Sequence, residues 1–556
     1  MRPTKTCHVL RALLKAVGSE AQIDEVGLYA KAPDMPSVML PSVSFRDAWF
    51  AYNLARKREV DRPETEEAAR AAFYDSEARC ATIEKDGILS SLDWLARNTL
   101  IRASQIAAEV LGVKPPSSWY QECSFTGGAS TSRSRSDSHP ALKWWASPSL
   151  HVTPLALRHL LALKASCEVL DVAWEDPGIL SSETYSHDRS FYKIVPGSRL
   201  EFVEKNYKTK RAILIEPDGN MVLQKGVGNI IRKQLKRVVN IDLDDQTRNQ
   251  RLAFAGSVSG SLGTIDLSAA SDSVSLALLR ILLPWKWYEL IYELRSPCYL
   301  DGDIWRTMRK VSSMGNGFTF ELESLVFYCL TQAVVDVLKP KETRVGIFGD
   351  DIIVATSVCG ALESVLNRCG FSLNQEKSFW RGPFRESCGK HFHNGLDVTP
   401  VYCKADLDDA SEVYRLYNQV RLWARQGCNF DFDERFNAPL RTISGLLAKA
   451  DRIQIPLEYG PNEGLYFPDV CHHRLRFYRN KRGHDLIAFY RRAPKRLDLT
   501  DRFDSECGWL YRHMERWTPS CPLGIGEYTS LSLVREGKLE RVPVVIPASS
   551  ITWPIP

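Results

Sequence analysis

Apolar positions change their period several times along this chain, and the changes divide it into regions. Up to residue 115 or so they recur at helical spacing, most clearly from Ile88 to Val113, and Glu64 to Ala81 is rich in strong helix formers. Met1 to Val17 predicts a short amphipathic helix, its apolar run broken by Arg11 and Lys15. No pattern in this region carries chemistry, and Pro115-Pro116 ends it. From Phe125 to Pro140 the periodicity disappears into a loop of small and hydroxyl residues with two arginines. Trp144-Trp145 follow, then a helical stretch from Pro154 to Val169. Ala212 to Ile215 predicts a strand, and Ile230 to Val238 a helix with a basic side. Ile265 and Leu267 place Asp266 in strand-like surroundings ahead of a helix near Val274 to Leu283. A second helix, with Phe318, Leu322, Leu325 and Cys329 on one face, follows a glycine-rich turn. Val345 to Phe348 and Ile352 to Ala355 predict the two strands of a hairpin with Gly349, Asp350 and Asp351 at its tip. Leu407 to Arg425 is helical in pattern. The uncharged, Pro-rich Val542 to Pro556 is expected to pack on this chain or on a partner.

The 556 residues suffice for two or three domains or one multi-lobed enzyme, and 44% apolar with 25% charged residues is ordinary for a globular protein. The net charge of +5 does not announce nucleic-acid binding, but its distribution does more. Residues 189–238 hold twelve Lys or Arg against four Asp or Glu, a local +8. Within them Lys208, Lys210 and Arg211 stand at the mouth of a strand, where cations can reach a polyphosphate; a solvated basic face is the ordinary alternative. From His472 to Arg496, Arg474, Arg476, Arg479, Arg491 and Arg492 interleave with aromatic residues. That composition suits a single-strand RNA channel or, more blandly, a half-buried hairpin with a charged outside. The 14 scattered cysteines include no Cys-x-x-Cys pair, which argues against a disulfide framework or zinc ribbon and suits a reducing cytosol. Cys388 with His391 and His393, and Cys471 to His473, have imperfect metal-ligand spacing and are expected to be packing and surface residues. No apolar run approaches the roughly 20 residues of a membrane span, so no membrane association or export is expected.

The chemistry concentrates in carboxylates. Asp350 and Asp351 repel each other, and holding them rigidly between apolar strands costs stability unless a cation neutralises them. Hard oxygen ligands suit Mg²⁺. A lone Gly-Asp-Asp is more often a solvated turn, so the reading depends on what else the chain supplies. Asp266 is a third carboxylate at a strand end, 84 residues before Asp350. Asp272 is placed either to cap the following helix or to reach a ligand. Ser312 to Phe320 is a glycine-rich turn at a helix start, where backbone can approach a ligand closely. Each signal is weak alone; their order, basic strand, Asp strand, glycine loop with helix, Asp-Asp hairpin, is far more specific.

In that order Asp266 to Asp272, Gly315 to Glu323 and Gly349-Asp350-Asp351 resemble motifs A, B and C of viral RNA-directed RNA polymerases. Ile-Asp-Leu-Ser-Ala-Ala-Ser-Asp-Ser, Met-Gly-Asn-Gly-Phe-Thr-Phe-Glu-Leu-Glu-Ser and Gly-Pro-Phe-Arg-Glu-Ser-Cys-Gly-Lys-His resemble, more closely, the replicase β subunits of single-stranded RNA bacteriophages, the leviviruses. The likeness is specific from 195 to 405 and faint outside. It implies an α+β right-hand polymerase with an antiparallel-sheet palm: an N-terminal region and fingers at 1–260, a palm with possible finger insertions at 261–404, and a thumb and tail at 405–556.

The resemblance further implies template-directed RNA synthesis in the cytoplasm of an infected bacterium. Two Mg²⁺ would sit at Asp266, Asp350 and Asp351, one activating the primer 3′-hydroxyl and the other stabilising pyrophosphate. Lys208, Lys210 and Arg211 would contact the incoming ribonucleoside triphosphate. Asp272 would read the ribose 2′-hydroxyl, and Lys377 would stand near the pyrophosphate as a proton donor. Host elongation factors Tu and Ts, with a ribosomal protein for some templates, would be partners beside the RNA template and product. The sequence departs from the common polymerase pattern in three places. Met314 precedes Gly315, Glu323 stands where many have Asn, and Asp272 lies six residues after Asp266. The ribose-reading partner of Asp272 is therefore open, with Ser313 and Asn316 as candidates. A reverse transcriptase shares the palm and aspartates, but usually carries a bulky residue at the place of Asp272. A non-catalytic RNA-binding protein would leave three carboxylates unexplained.

Overall fold

A computed structural model describes residues 4–59, 63–88, 93–135, 138, 143, 149–166, 192–426, 432–457, 459–466, 476–479, 485–498 and 532–547. The N-terminal region is helical, as its pattern predicts: α1 (Lys5–Ala16), α2 (Ser42–Asn53), α3 (Pro63–Asp86) and α4 (Trp94–Leu111). Local chemistry sets their starts. The Thr4 hydroxyl accepts the Cys7 N–H at 3.2 Å and the Asp93 carboxylate accepts that of Ala96 at 2.8 Å. Pro63 opens α3 where an amide would be unpaired anyway, with Glu64 and Glu66 in the first turn against the helix dipole.

Further helices are α5 (Pro154–Ala165), α6 (Asp218–Val239), α7 (Thr247–Ser259), α8 (Leu276–Leu282), α9 (Trp285–Leu294), α10 (Thr319–Leu338), α11 (Cys359–Arg368), α12 (Ala410–Gln426) and α13 (Asn437–Gly445). α6 begins twelve residues before its predicted start at Ile230. Its Gly226 and Gly228 lower helix propensity, yet a Cβ on Gly228 would come within 3.0 Å of the Gly317 carbonyl. The helix therefore needs a residue without a side chain where the glycine-rich loop crosses it. α10 is the core helix. Leu322, Leu325, Val326, Cys329, Leu330 and Val334 are all fully buried in one cluster with residues of α4, α6 and α11, each leucine stabilising the fold by about 2 kcal/mol.

Besides several further strands of two or three residues, the strands are β1 (Gly197–Asn206), β2 (Thr209–Ile215), β3 (Leu262–Ile265), β4 (Leu267–Ser268), β5 (Cys298–Asp301), β6 (Ile304–Thr307), β7 (Gly346–Phe348), β8 (Asp351–Ala355), β9 (Ser372–Leu373), β10 (Phe384–Ser387), β11 (Lys390–His393), β12 (Arg476–Arg479), β13 (Asp485–Asp498) and β14 (Ser532–Pro547). Two sheets frame the site. The first, in order β7-β8-β3, is antiparallel throughout, with Ile352 opposite Ile265. The second, in order β6-β5-β1-β2, joins the basic hairpin β1–β2 to the hairpin β5–β6, with β1 and β5 parallel. Residues 298–307 thus share a sheet with 197–215, not with the Asp-bearing strands around them in sequence.

The apolar faces of α1 and α2 pack far along the chain. Leu10, Leu13 and Phe50 share a core with Tyr414, Trp423 and Phe436. The buried Arg58 ties the same regions, donating to Asp406 at 2.7 Å and to the Ala405 carbonyl at 2.9 Å. At the C-terminal end β12, β13 and β14 form an antiparallel sheet. Residues 542–547 of the Pro-rich tail pair with β13 of this same chain, and 548–556 lie outside the described residues. Among the described residues no helix is long and apolar enough to cross a membrane.

Candidate active site

The antiparallel register brings the acids together. With Ile352 opposite Ile265, Asp351 at the start of β8 and Asp266 just past the end of β3 lie at the same end of the sheet, and the charge of Asp266 acts on Asp351. Asp350 lies in the turn between β7 and β8, where Gly349 takes φ +60° and donates its N–H to Ser324 of α10 at 3.0 Å. Burial raises the pKa of all three carboxyls, and neighbouring acids add to it for Asp266 and Asp351. Burial, then the charges of Asp350 and Asp266, push Asp351 up to about 7. Burial likewise lifts Asp266 to about 6, with Asp350 adding to it and Lys377 opposing. Asp350 is also raised, chiefly by burial.

Each acid has a hold on its surroundings. Asp266 accepts from Asn374 at 3.0 Å and from Lys377 at 3.2 Å. Asp351 accepts from the Ser387 hydroxyl at 3.3 Å and the Cys388 N–H at 3.2 Å. Among the described residues no three His, Cys, Asp or Glu side chains close into a ready-made metal cage. His391 accepts from the Trp49 indole at 3.1 Å and His393 stacks on Phe45, which makes them packing residues; Cys471 to His473 lie outside the described residues.

Cations face the acids, though not all those singled out by sequence. Strand alternation separates Lys210 from Arg211. Arg211 lowers the pKa of Asp350, while the Lys210 ammonium lies 3.5 Å from both Glu66 and Glu204. Lys208 is exposed near the hairpin tip. Lys205, which sequence reasoning passed over, joins the group. It reaches solvent, yet surrounding protein and the charges of Arg211 and Lys377 lower its pKa, while Asp266 and Asp350 oppose that shift. Simple period-two alternation would not have found it, because the register of β1 on β2 shifts between the Val203–Arg211 pair and the Asn206–Thr209 pair. Burial works against the charge of Lys377, but Asp266, Glu386 and Asp350 outweigh it and hold its pKa up.

Asp272 does not cap α8. Ser275 does so, accepting the Leu278 N–H at 3.2 Å. The Asp272 carboxylate accepts instead from Ser313 at 2.5 Å and from Lys310 at 2.7 Å. Of the two candidate partners the structure joins Ser313 to it. Asn316 turns back on its own loop and accepts the Phe318 N–H at 3.0 Å. Glu323, marked by sequence only as a departure, is buried on α10, and burial with the charges of Asp350, Asp272 and Glu321 holds its carboxyl well above the usual range.

The loop before α10 is docked on the basic hairpin, with the Leu214 N–H donating to the Met314 carbonyl at 2.8 Å. Gly315 has φ +106°, and a Cβ there would stand 2.2 Å from the Leu214 carbonyl oxygen. Gly315→Ala is therefore expected to destabilise the protein by about 2–5 kcal/mol through strain and overlap together. Urea denaturation measures it; an unchanged midpoint would show that this approach is not obligatory.

Toward the C-terminus, Arg491 pairs with Glu463 at 2.8 Å and Arg492 with Asp451. Arg476 and Arg479 lie on β12, and Arg474 lies outside the described residues.

The site thus gathers three acids at one end of a sheet, cations from a basic hairpin and a glycine-rich loop. Comparison with known proteins gives the family. The family model described as RNA replicase, beta-chain matches residues 8–432, and the chain belongs to that family. It is 40% identical over 369 residues to the RNA-directed RNA polymerase subunit beta of Escherichia virus Qbeta, covering 65% of this chain and 59% of that one. To the RNA-directed RNA polymerase beta chain of Enterobacteria phage fr it is 39% identical over 360 residues, covering 64% and 63%. The matches thus span less than two thirds of these relatives. A solved structure, "In situ structure of BmCPV RNA-dependent RNA polymerase at elongation state", aligns at a TM-score of 0.36 and 12% identity over 64% of this chain and 33% of the other, too slight a likeness to carry an argument.

Proposed function

We propose that the chain is an RNA-directed RNA polymerase that replicates a phage RNA genome in the cytoplasm of an infected bacterium. The observation that carries the reading is the register bringing Asp266 and Asp351 to one end of the sheet, beside Asp350, within a family of RNA replicase β chains. In this reading 261–404 is the palm, 1–260 holds the N-terminal region and fingers, and 405–556 the thumb and tail. Residues 298–307, sheet partners of the basic hairpin, are a finger insertion in the palm.

Asp266, Asp350 and Asp351 suit Mg²⁺. All their donors are hard oxygens; burial first, and for Asp266 and Asp351 also the neighbouring acids, raise their pKa values, and a divalent cation would offset both. Bound as a pair, Mg²⁺ would supply the charge that activates a 3′-hydroxyl and stabilises pyrophosphate. The chain's own residues do the rest. Arg211, Lys205 and Lys208 neutralise the incoming triphosphate. Lys377, the counter-ion of Asp266 in the cation-free protein, provides an acidic proton beside the pyrophosphate. Asp272 accepts the ribose 2′-hydroxyl. Partners in this reading are RNA template and product, ribonucleoside triphosphates, and the host factors Tu and Ts, with a ribosomal protein for some templates.

The test adds purified chain and bacterial extract to a defined RNA template and follows ribonucleotide incorporation into complementary product. Deoxynucleotide incorporation instead would replace this reading by reverse transcription, and RNA binding without synthesis by a non-catalytic role.

The raised carboxyl pKa values also set a pH dependence. In the cation-free protein these groups bind more protons folded than unfolded, so their contribution to stability is full below the ordinary carboxylate range and is lost as pH rises through the folded values of about 6 and about 7. Mg²⁺ acts in the opposite sense, because it competes with those protons. Its effect on Tm is expected to be largest above pH 7 and to vanish near pH 5, to within about half a unit. A Mg²⁺-induced shift independent of pH would remove these carboxylates as the cation site.

A further inference from the structure

Lys310 lies in the segment leading to the glycine loop, and its side chain is 0% exposed. Its ammonium donates to Asp272 Oδ1 at 2.7 Å and stands 3.7 Å from Glu77 Oε1, an ion-pair distance too long for a hydrogen bond. On its remaining side it rests 3.3 Å from the centre of the Phe73 ring. Both Phe73 and Glu77 belong to α3, in the N-terminal region where the sequence shows no chemistry. The backbone locks this arrangement. Lys310 bridges Ser275, Val311 donates to the Val274 carbonyl at 2.9 Å, and the Arg309 N–H donates to Glu77 Oε2 at 2.7 Å.

A buried ammonium is costly, and a methionine would fill similar space without a desolvation penalty. Its position shows what the charge does. Lys310 and Ser313 both donate to the same oxygen of Asp272, at 2.7 and 2.5 Å. Two donors three residues apart in one segment converge on that single oxygen. Oδ2 has no hydrogen-bond donor among the described residues, and the Asp272 side chain keeps 14% of its surface open. One oxygen is thus anchored by two donors, and the other keeps its acceptor capacity.

We propose that Lys310 is a positioning residue for sugar selection. With Glu77 balancing its charge, it holds Asp272 Oδ1 so that Oδ2 meets the 2′-hydroxyl of the incoming ribonucleotide. This rests on the polymerase reading above. Helix α3 supplies the aromatic floor under this lysine and a nearby charge that offsets the cost of burying it.

Lys310→Met alone would leave Asp272 and Glu77 facing each other without a cation. The variant to use is therefore Lys310→Met with Glu77→Gln, which removes equal and opposite charges; a glutamine at 77 can still accept the Arg309 N–H. The readout is the ratio of kcat/KM for a ribonucleoside triphosphate to that for its 2′-deoxy analogue. It is measured on the full chain with bacterial extract beside wild type and Asp272→Ala, with Tm and template RNA binding followed in parallel. The double variant is expected to lower the ratio on the order of tenfold to a hundredfold, mainly by raising KM for the ribonucleotide, with the deoxynucleotide parameters little changed. Glu77→Gln alone, which keeps the lysine contact, is expected to hold the ratio near wild type. A double variant with the wild-type ratio, beside an Asp272→Ala that loses it, would reduce Lys310 to packing and leave the polymerase reading standing. An equal fall for both sugars would also overturn the proposal, because a structural defect does not discriminate between them. A wild-type chain that incorporates neither sugar would overturn the polymerase reading itself.

Discussion

Asp350→Asn is expected to cut nucleotide incorporation on the order of a thousandfold or more while the fold and template RNA binding survive. The substitution is nearly isosteric and sits in a turn held by the backbone, through the Gly349 N–H to Ser324 and the strand pairing of Phe348 with Asp351. It removes a charge that raises the pKa of both Asp266 and Asp351. The cation-free variant should therefore be at least as stable as wild type, because the native state no longer holds three buried acids together. Loss of synthesis with unchanged or higher Tm separates a cation-site role from a structural one. Near-normal synthesis under Mg²⁺ would remove the basis of the proposed function.

For Asp272→Ala the expected result is a fall in sugar discrimination of roughly a hundredfold, carried by the ribonucleotide. A site that hydrogen-bonds a hydroxyl rejects the analogue lacking it, since its own polar group is then left unpaired; removing that group removes the preference. Ser275 already caps α8, so the helix start does not depend on Asp272. Stability should fall as well, because Lys310 loses its hydrogen-bonded partner and keeps only the longer contact to Glu77. Competing incorporation of ribo- and deoxyribonucleotides on one template measures the effect. An equal loss for both sugars would return Asp272 to a packing role.

Much of the fold was legible because its signals are local. The hairpin around Gly349, the strand before Asp266 and the apolar face of α10 each follow from residues within a turn or two of one another. Where expectation and structure differ, a distant contact decides. α6 starts early because Gly226 and Gly228 serve close packing against Cys123 and the glycine loop, and helix propensity reads them only as a cost. Asp272 is released from capping by a serine three residues on. Residues 298–307 leave the sheet of their neighbours because β5 pairs in parallel with β1, a hundred residues earlier.

The sequence by itself determined that three aspartates, a basic hairpin and a glycine-rich helix start recur in a specific order, and that α and β elements alternate around them. Those properties reside in residue type and short-range period, which a chain displays whether folded or not. Only the tertiary structure decided which charges meet. Lys210 and Arg211 are neighbours in sequence, yet strand alternation sends one to Glu66 and Glu204 and the other toward Asp350. The apolar faces of α1 and α2 do not encode that their partners lie beyond residue 400. Nor does a helix-forming stretch with an acid at 77 reveal that its carboxylate will balance a lysine 233 residues later. Hydrophobic faces and buried charges are satisfied by any partner of suitable shape and sign, so long-range pairing is settled by the packing of the whole core.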